Sequence, residues 1–158
     1  MYESLVQLKA SILERADLLR VRCGSQAANP ERRLFEDVVV EHGRVYIPRS
    51  LPFGFQLGAP NRCFHNAWTV ALMRKGFRYA EGYVGCGVAG HNVLAHGFVV
   101  DDEAAYECTF PEPASWYFGI EFDPLLLVVN RQTRAFSSPD DWLTDSAAAL
   151  RRLEDARV

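Results

Sequence analysis

The stretch Pro60-Asn61-Arg62-Cys63-Phe64-His65-Asn66-Ala67-Trp68-Thr69-Val70-Ala71-Leu72-Met73-Arg74-Lys75-Gly76 decides how the rest of the chain is read. Phe64, Ala67, Trp68, Ala71 and Leu72 recur at i, i+3, i+4, i+7 and i+8, the spacing of one buried helical face. Asn61 is a good N-cap. Gly76, after Arg74 and Lys75, is a good stop with cations at the negative end of the helix dipole. This reading sets Cys63 in the first turn, where unbonded N–H groups and the positive end of the dipole favour a thiolate. Such a cysteine reads either as a nucleophile or as a small buried hydrophobe.

Upstream, Pro48, Pro52, Gly54, Gly58 and Pro60 mark a loop leading into Cys63, with Phe53 and Phe55 between them. Long loops inside compact domains are often functional. Gln56 and Asn61 are its two amide side chains, and either suits an oxyanion, although Asn61 also reads simply as the helix cap. Earlier still, residues 3–22 form an amphipathic helix with Leu5, Leu8, Ile12 and Leu19 on one side. Leu34 to Glu41, His42-Gly43 and Arg44 to Ile47 read as a hairpin, with Val38, Val39 and Val40 supplying β-branched residues. Downstream, a strand over 77–84 is followed by a glycine-rich segment over 85–92. Further strands are expected over 93–100, 104–110, 117–122 and 125–130, and Ser138-Pro139-Asp140-Asp141 opens a helical region from Trp142 to Leu153. Helices followed by an antiparallel meander give an α+β pattern, expected to form a single domain over residues 1–158.

The totals narrow the function classes. Of 158 residues, 17 are basic and 20 acidic, a net charge of -3, so there is no basic footprint for nucleic acid and no polybasic membrane patch. Glu3, Lys9 and Glu14 interrupt the first segment, which excludes a signal peptide, and nothing approaches a membrane-spanning run. Cys23, Cys63, Cys86 and Cys108 are widely spaced without a C-x-x-C pair, so neither a disulfide framework nor a standard zinc site is indicated. The expected compartment is the cytoplasm, and no cofactor is expected. A metal site built from Cys63, His65, His91 and Cys86 is an alternative whose spacing matches no standard pattern.

A nucleophilic thiolate needs an imidazole, and the imidazole needs something to orient it. His65, two residues from Cys63 on a helix, points away from it; His42 sits in a turn and His91 in the glycine segment. His96 lies in a strand that runs on through Gly97, Phe98, Val99 and Val100. If Asp101 to Ala104 form the turn, Val100 faces Ala105, Phe98 faces Glu107 and His96 faces Thr109. Alternation then puts His96, Phe98, Glu107 and Thr109 on one face and Asp101 on the other. Glu107 is diagonal to His96, within reach of a long side chain. A three-residue loop would reverse the parity. The plainer alternatives are a hydrogen-bonded strand histidine and a solvated glutamate.

A cysteine at a helix start, a strand histidine and an acid on the next strand resemble the papain-like and transglutaminase-like cysteine hydrolases and acyltransferases. His96-Gly97-Phe98-Val99-Val100 followed by Tyr106-Glu107-Cys108-Thr109-Phe110 is similar to the transglutaminase-like histidine strand and its Asp-x-Thr segment, with Glu in place of Asp. Arg62-Cys63-Phe64-His65-Asn66 is similar to the active-cysteine motif of arylamine N-acetyltransferases. The resemblance spans residues 55–123. It implies a papain-like α+β fold in which the nucleophile helix packs on an antiparallel sheet, with N- and C-terminal helices.

It also implies acyl transfer from a peptide, protein or small amide or acyl substrate. Cys63 attacks the carbonyl, His96 moves the proton and Glu107 fixes the imidazole tautomer, while the Cys63 N–H and Gln56 or Asn61 bind the oxyanion. With water as acceptor the protein is a hydrolase (peptidase, amidase or deamidase); with an amine it is a transferase. The rival is a non-catalytic binding module on the same scaffold, with Phe53, Phe55, Trp116, Tyr117 and Phe118 lining a groove.

Overall fold

The structure is a computed structural model that describes residues 5–22, 34–86 and 92–125. These residues divide into two compact units, one ending at Gly43 and the other starting at Arg44. In the first, helix α1 (Leu5–Arg22) packs on helix α2 (Phe35–His42). Leu8, Ile12 and Ala16, spaced by four, are the buried stripe of α1, while Leu5 is 45% exposed. The α2 segment was expected to be a strand. Asp37 accepts the Leu34 N–H at 2.7 Å to open the helix, and Val38 and Val39 are fully buried, so packing overrides their β preference. There is accordingly no hairpin at His42, which is the last residue of α2.

The second unit comprises β1 (Arg44–Ser50), α3 (Cys63–Met73), β2 (Arg78–Cys86), β3 (Asn92–Val100), β4 (Ala104–Glu107) and β5 (Trp116–Phe122). The strands close into a barrel in the order β1-β4-β3-β2-β5. β2, β3 and β4 are antiparallel neighbours as expected, but β5 pairs with β2 rather than β4. Strand β1 fills the gap, parallel to β4 and antiparallel to β5. This overturns the papain-like α+β expectation of a helix on an antiparallel sheet: the sheet closes on itself and contains a parallel pair. Closure removes both open edges, whose unpaired N–H and C=O groups would otherwise need cover. The strand expected over 125–130 and the C-terminal helix from Trp142 lie outside the described residues, apart from Leu125.

Alternation decides what fills the barrel. Tyr46, Ala80, Val84, Phe98, Val100, Ala105 and Tyr117 form the buried interior cluster. A five-stranded barrel has little internal volume, so its large rings need small neighbours. A Cβ on Gly119 would come 2.9 Å from the Phe98 ring. At one end, Glu121 accepts from Arg44, Arg78 and the Tyr46 hydroxyl. The other end holds His96 and Glu107.

Candidate active site

Helix α3 begins at Cys63, as expected, but it is not capped as expected. The N-cap is Arg62, whose side chain makes no capping bond, and Asn61 takes a left-handed backbone at φ 60, which asparagine tolerates better than most residues. Gly76, at φ 99, lies in the turn that follows the helix. The start of α3 lies directly on β3 because residue 97 has no side chain. A Cβ there would stand 2.6 Å from the Cα of Phe64. This approach brings Cys63 to His96.

The turn after β3 has the expected parity. Asp101 Oδ1 accepts the N–H groups of Glu103 and Ala104, at 3.0 and 2.8 Å, and Val100 pairs with Ala105. His96 and Glu107 therefore share the interior face, and both are almost wholly buried. His96 Nε2 lies 3.1 Å from Glu107 Oε1. The other ring nitrogen, Nδ1, is not engaged by Glu107, and the Cys63 thiol lies near enough to the imidazole for His96 to favour its thiolate. Cys63, His96 and Glu107 are thus brought together in a row.

Burial works against the thiolate. The hydrogen bond and charge of His96, with the N–H groups of Gly97 and Phe64, nevertheless hold the Cys63 thiol below its ordinary value. Burial likewise opposes the imidazolium, but the bonds to Cys63 and Glu107 outweigh it and push His96 up to about 9. Burial would raise Glu107 too, yet His96, the Tyr117 hydroxyl and the Phe110 N–H keep it below the usual carboxylate range. In all three groups the neighbouring side chains favour the charged form against the effect of burial. The other described thiols differ: burial raises Cys86, and raises Cys108 to about 12.

Several residues that the sequence reading passed over complete the site. Glu107 Oε1 also accepts the N–H groups of Thr109 and Phe110, at 2.7 and 3.0 Å, and Oε2 accepts the Tyr117 hydroxyl at 2.6 Å. The Phe110 ring stacks on His96 with centroids 4.7 Å apart. Asn66, buried in α3, donates to the Ala59 carbonyl at 2.8 Å and the Thr109 hydroxyl at 2.9 Å, so it joins the loop before Cys63 to the segment after Glu107. Its signal in the sequence is a polar residue at i+3 from Cys63 in an apolar helix. A cavity of about 680 Å3 opens beside Phe110, with Cys86, Leu94, Pro111 and Ala114 in its wall.

Other candidates are placed elsewhere. Gln56 and Asn61 are exposed, and neither is brought against the thiol by a described contact. His65 is exposed with its ring 5.8 Å from that of Trp68, and His91 is outside the described residues. Cys86 ends β2 instead of lying in a loop, and no three His, Cys, Asp or Glu side chains among the described residues are grouped to hold a metal. Trp116, Tyr117 and Phe118 are buried in the barrel wall while Phe53 is fully exposed, so the five aromatics form no common groove. Among the described residues, no helix is long and apolar enough to cross a membrane.

The chain matches no protein-family model, and no curated protein or solved structure matches it.

Proposed function

We propose that this protein is a thiol-dependent acyl-transfer enzyme that acts on an amide, peptide or acyl substrate through Cys63, His96 and Glu107. The observation that carries the reading is one imidazole held between a half-buried thiol and a buried carboxylate. The Cys63 thiolate adds to the substrate carbonyl, forming a C–S bond and sending the π pair to oxygen. The N–H groups of the first turn of α3 have no carbonyl four residues back, and they supply the dipole that meets the oxyanion. Imidazolium Nδ1 gives its proton to the leaving nitrogen or oxygen as the tetrahedral adduct collapses to a thioester. Water, deprotonated by the imidazole, then releases the acid and restores the thiolate. Glu107 stays ionised and keeps a proton on Nε2 throughout.

An amine in place of water would make the protein a transferase, by the same thioester. The test is to incubate the native protein with a panel of activated acyl esters and peptidyl electrophiles, then map adducts by mass spectrometry. An acyl group on Cys63 that is lost with time supports the reading, and adding amines shows which acceptor resolves it. Cys63→Ala should form no such adduct and keep its fold, since alanine favours helix and little volume is removed. Equal turnover by the Cys63→Ala and native proteins would exclude covalent catalysis.

A further inference from the structure

We propose that Tyr117 is a positioning residue for this centre: its hydroxyl proton is committed to Glu107 Oε2, which keeps the carboxylate ionised and aimed at His96. The inference rests on the reading of Cys63 and His96 as the reactive pair. The Tyr117 oxygen already accepts the Ala114 N–H at 3.1 Å, so its single proton points the other way, to Oε2 at 2.6 Å. Oε1 is met by two backbone N–H groups and the imidazole. An ionised Glu107 accepts all four of these contacts at once, with Nε2 and the Tyr117 hydroxyl as donors. In that arrangement Nε2 carries a proton and Nδ1 is the ring nitrogen left to exchange one with the thiol.

Tyr117 has a particular place in this set. The backbone N–H groups and His96 all crowd Oε1, so Oε2 is the oxygen on which a proton could settle, and Tyr117 occupies it. With the hydroxyl gone, the buried carboxylate loses a charge-assisted bond and drifts toward its neutral form. The imidazolium then loses its counter-charge, and the thiolate loses its imidazolium. The titratable groups facing Glu107 are His96 on β3, Cys86 on β2, Tyr117 on β5 and Cys108 next to it in sequence. Burial raises both of those thiols and the phenol, so among these groups His96, at about 9, is the first to change charge as the pH rises above neutral. On β1, the Tyr46 hydroxyl is turned to Glu121 at the other end of the barrel.

The test follows iodoacetamide alkylation of Cys63 against pH, read by peptide mapping, in the native protein and in Tyr117→Phe. Phenylalanine keeps the ring that meets Phe98 at 5.0 Å. The proposal expects the alkylation midpoint to rise in Tyr117→Phe, each unit of rise lowering the reactive fraction on the acid side about tenfold. It also expects the His96 titration to move down from about 9. Phe98→Leu, which disturbs the same ring contact without touching the hydroxyl, should leave the midpoint in place. Site-specific replacement of Tyr117 by 3-fluorotyrosine keeps the fold even if the phenylalanine variant does not, and its more acidic phenol should move the midpoint down. A native midpoint with no reduction would overturn the reading of the reactive pair. A low native midpoint that neither Tyr117 replacement shifts would overturn the role of Tyr117 alone.

Discussion

Glu107 has to satisfy more than the imidazole. One oxygen anchors His96 and the backbone of Thr109 and Phe110, and the other meets Tyr117, so the side chain links β3, β5 and the segment that follows β4. Glu107→Gln keeps an acceptor on one side but presents an amide N–H₂ to a Tyr117 hydroxyl that also needs an acceptor. Its loss of charge should lower Cys63 alkylation at neutral pH by about tenfold, measured by timed labelling. The frustrated buried bond should cost roughly 1–3 kcal/mol, measured by denaturant unfolding. At this scale Cys63, His96 and Glu107 were legible, because helix starts and strand parity follow from local spacing. Tyr117 was not: its role depends on contact between β5 and the segment after β4, which no local pattern connects. Asn61 was misplaced because a good capping residue also adopts the left-handed backbone, and only the folded loop decides between the two.

Between elements, the contact that assembles the site is the start of α3 on β3 at Gly97. An alanine there must displace the Phe64 backbone, not the end of a flexible side chain. Gly97→Ala should therefore cost about 1–3 kcal/mol in unfolding free energy. It should also slow Cys63 labelling near neutral pH by lifting the thiol from the imidazole; native labelling with lowered stability would show that the helix start has room to shift. The β3–β4 hairpin could be read in advance because an aspartate after Val100 accepts its own turn's N–H groups and sets a register that alternation carries back to His96. The segment from Phe35 to His42 could not. Three successive valines fit a strand or a helical face equally in isolation, and burial of Val38 and Val39 against neighbouring helix made the choice.

For the molecule as a whole, barrel closure is what the sequence left hidden. Strand β1 finds its partners in β4 and β5, more than fifty residues further along, with Ile47 paired to Ala104 and Tyr46 to Tyr117. Neither pairing leaves a short-range mark, and Pro48 within β1 weakens the strand pattern that would have drawn attention to it. Closure matters to the chemistry because it places His96 and Glu107 inside one end of the barrel, away from bulk water, where a carboxylate and an imidazolium interact more strongly than at a surface. The opposite end is held by Glu121 with Arg44 and Arg78, so the two ionic clusters are separated by the apolar interior.

The central claim is that Cys63 is a thiolate because of His96. The most direct measurement is the pH dependence of alkylation at Cys63, Cys86 and Cys108, followed together in one native sample and repeated with His96→Ala. Cys63 should label selectively from below pH 9.0, the ordinary thiol midpoint, while Cys86 and Cys108 stay unreactive near neutral pH; His96→Ala should remove that selectivity. A Cys63 midpoint at or above 9.0, or one that His96→Ala leaves unmoved, would contradict the account.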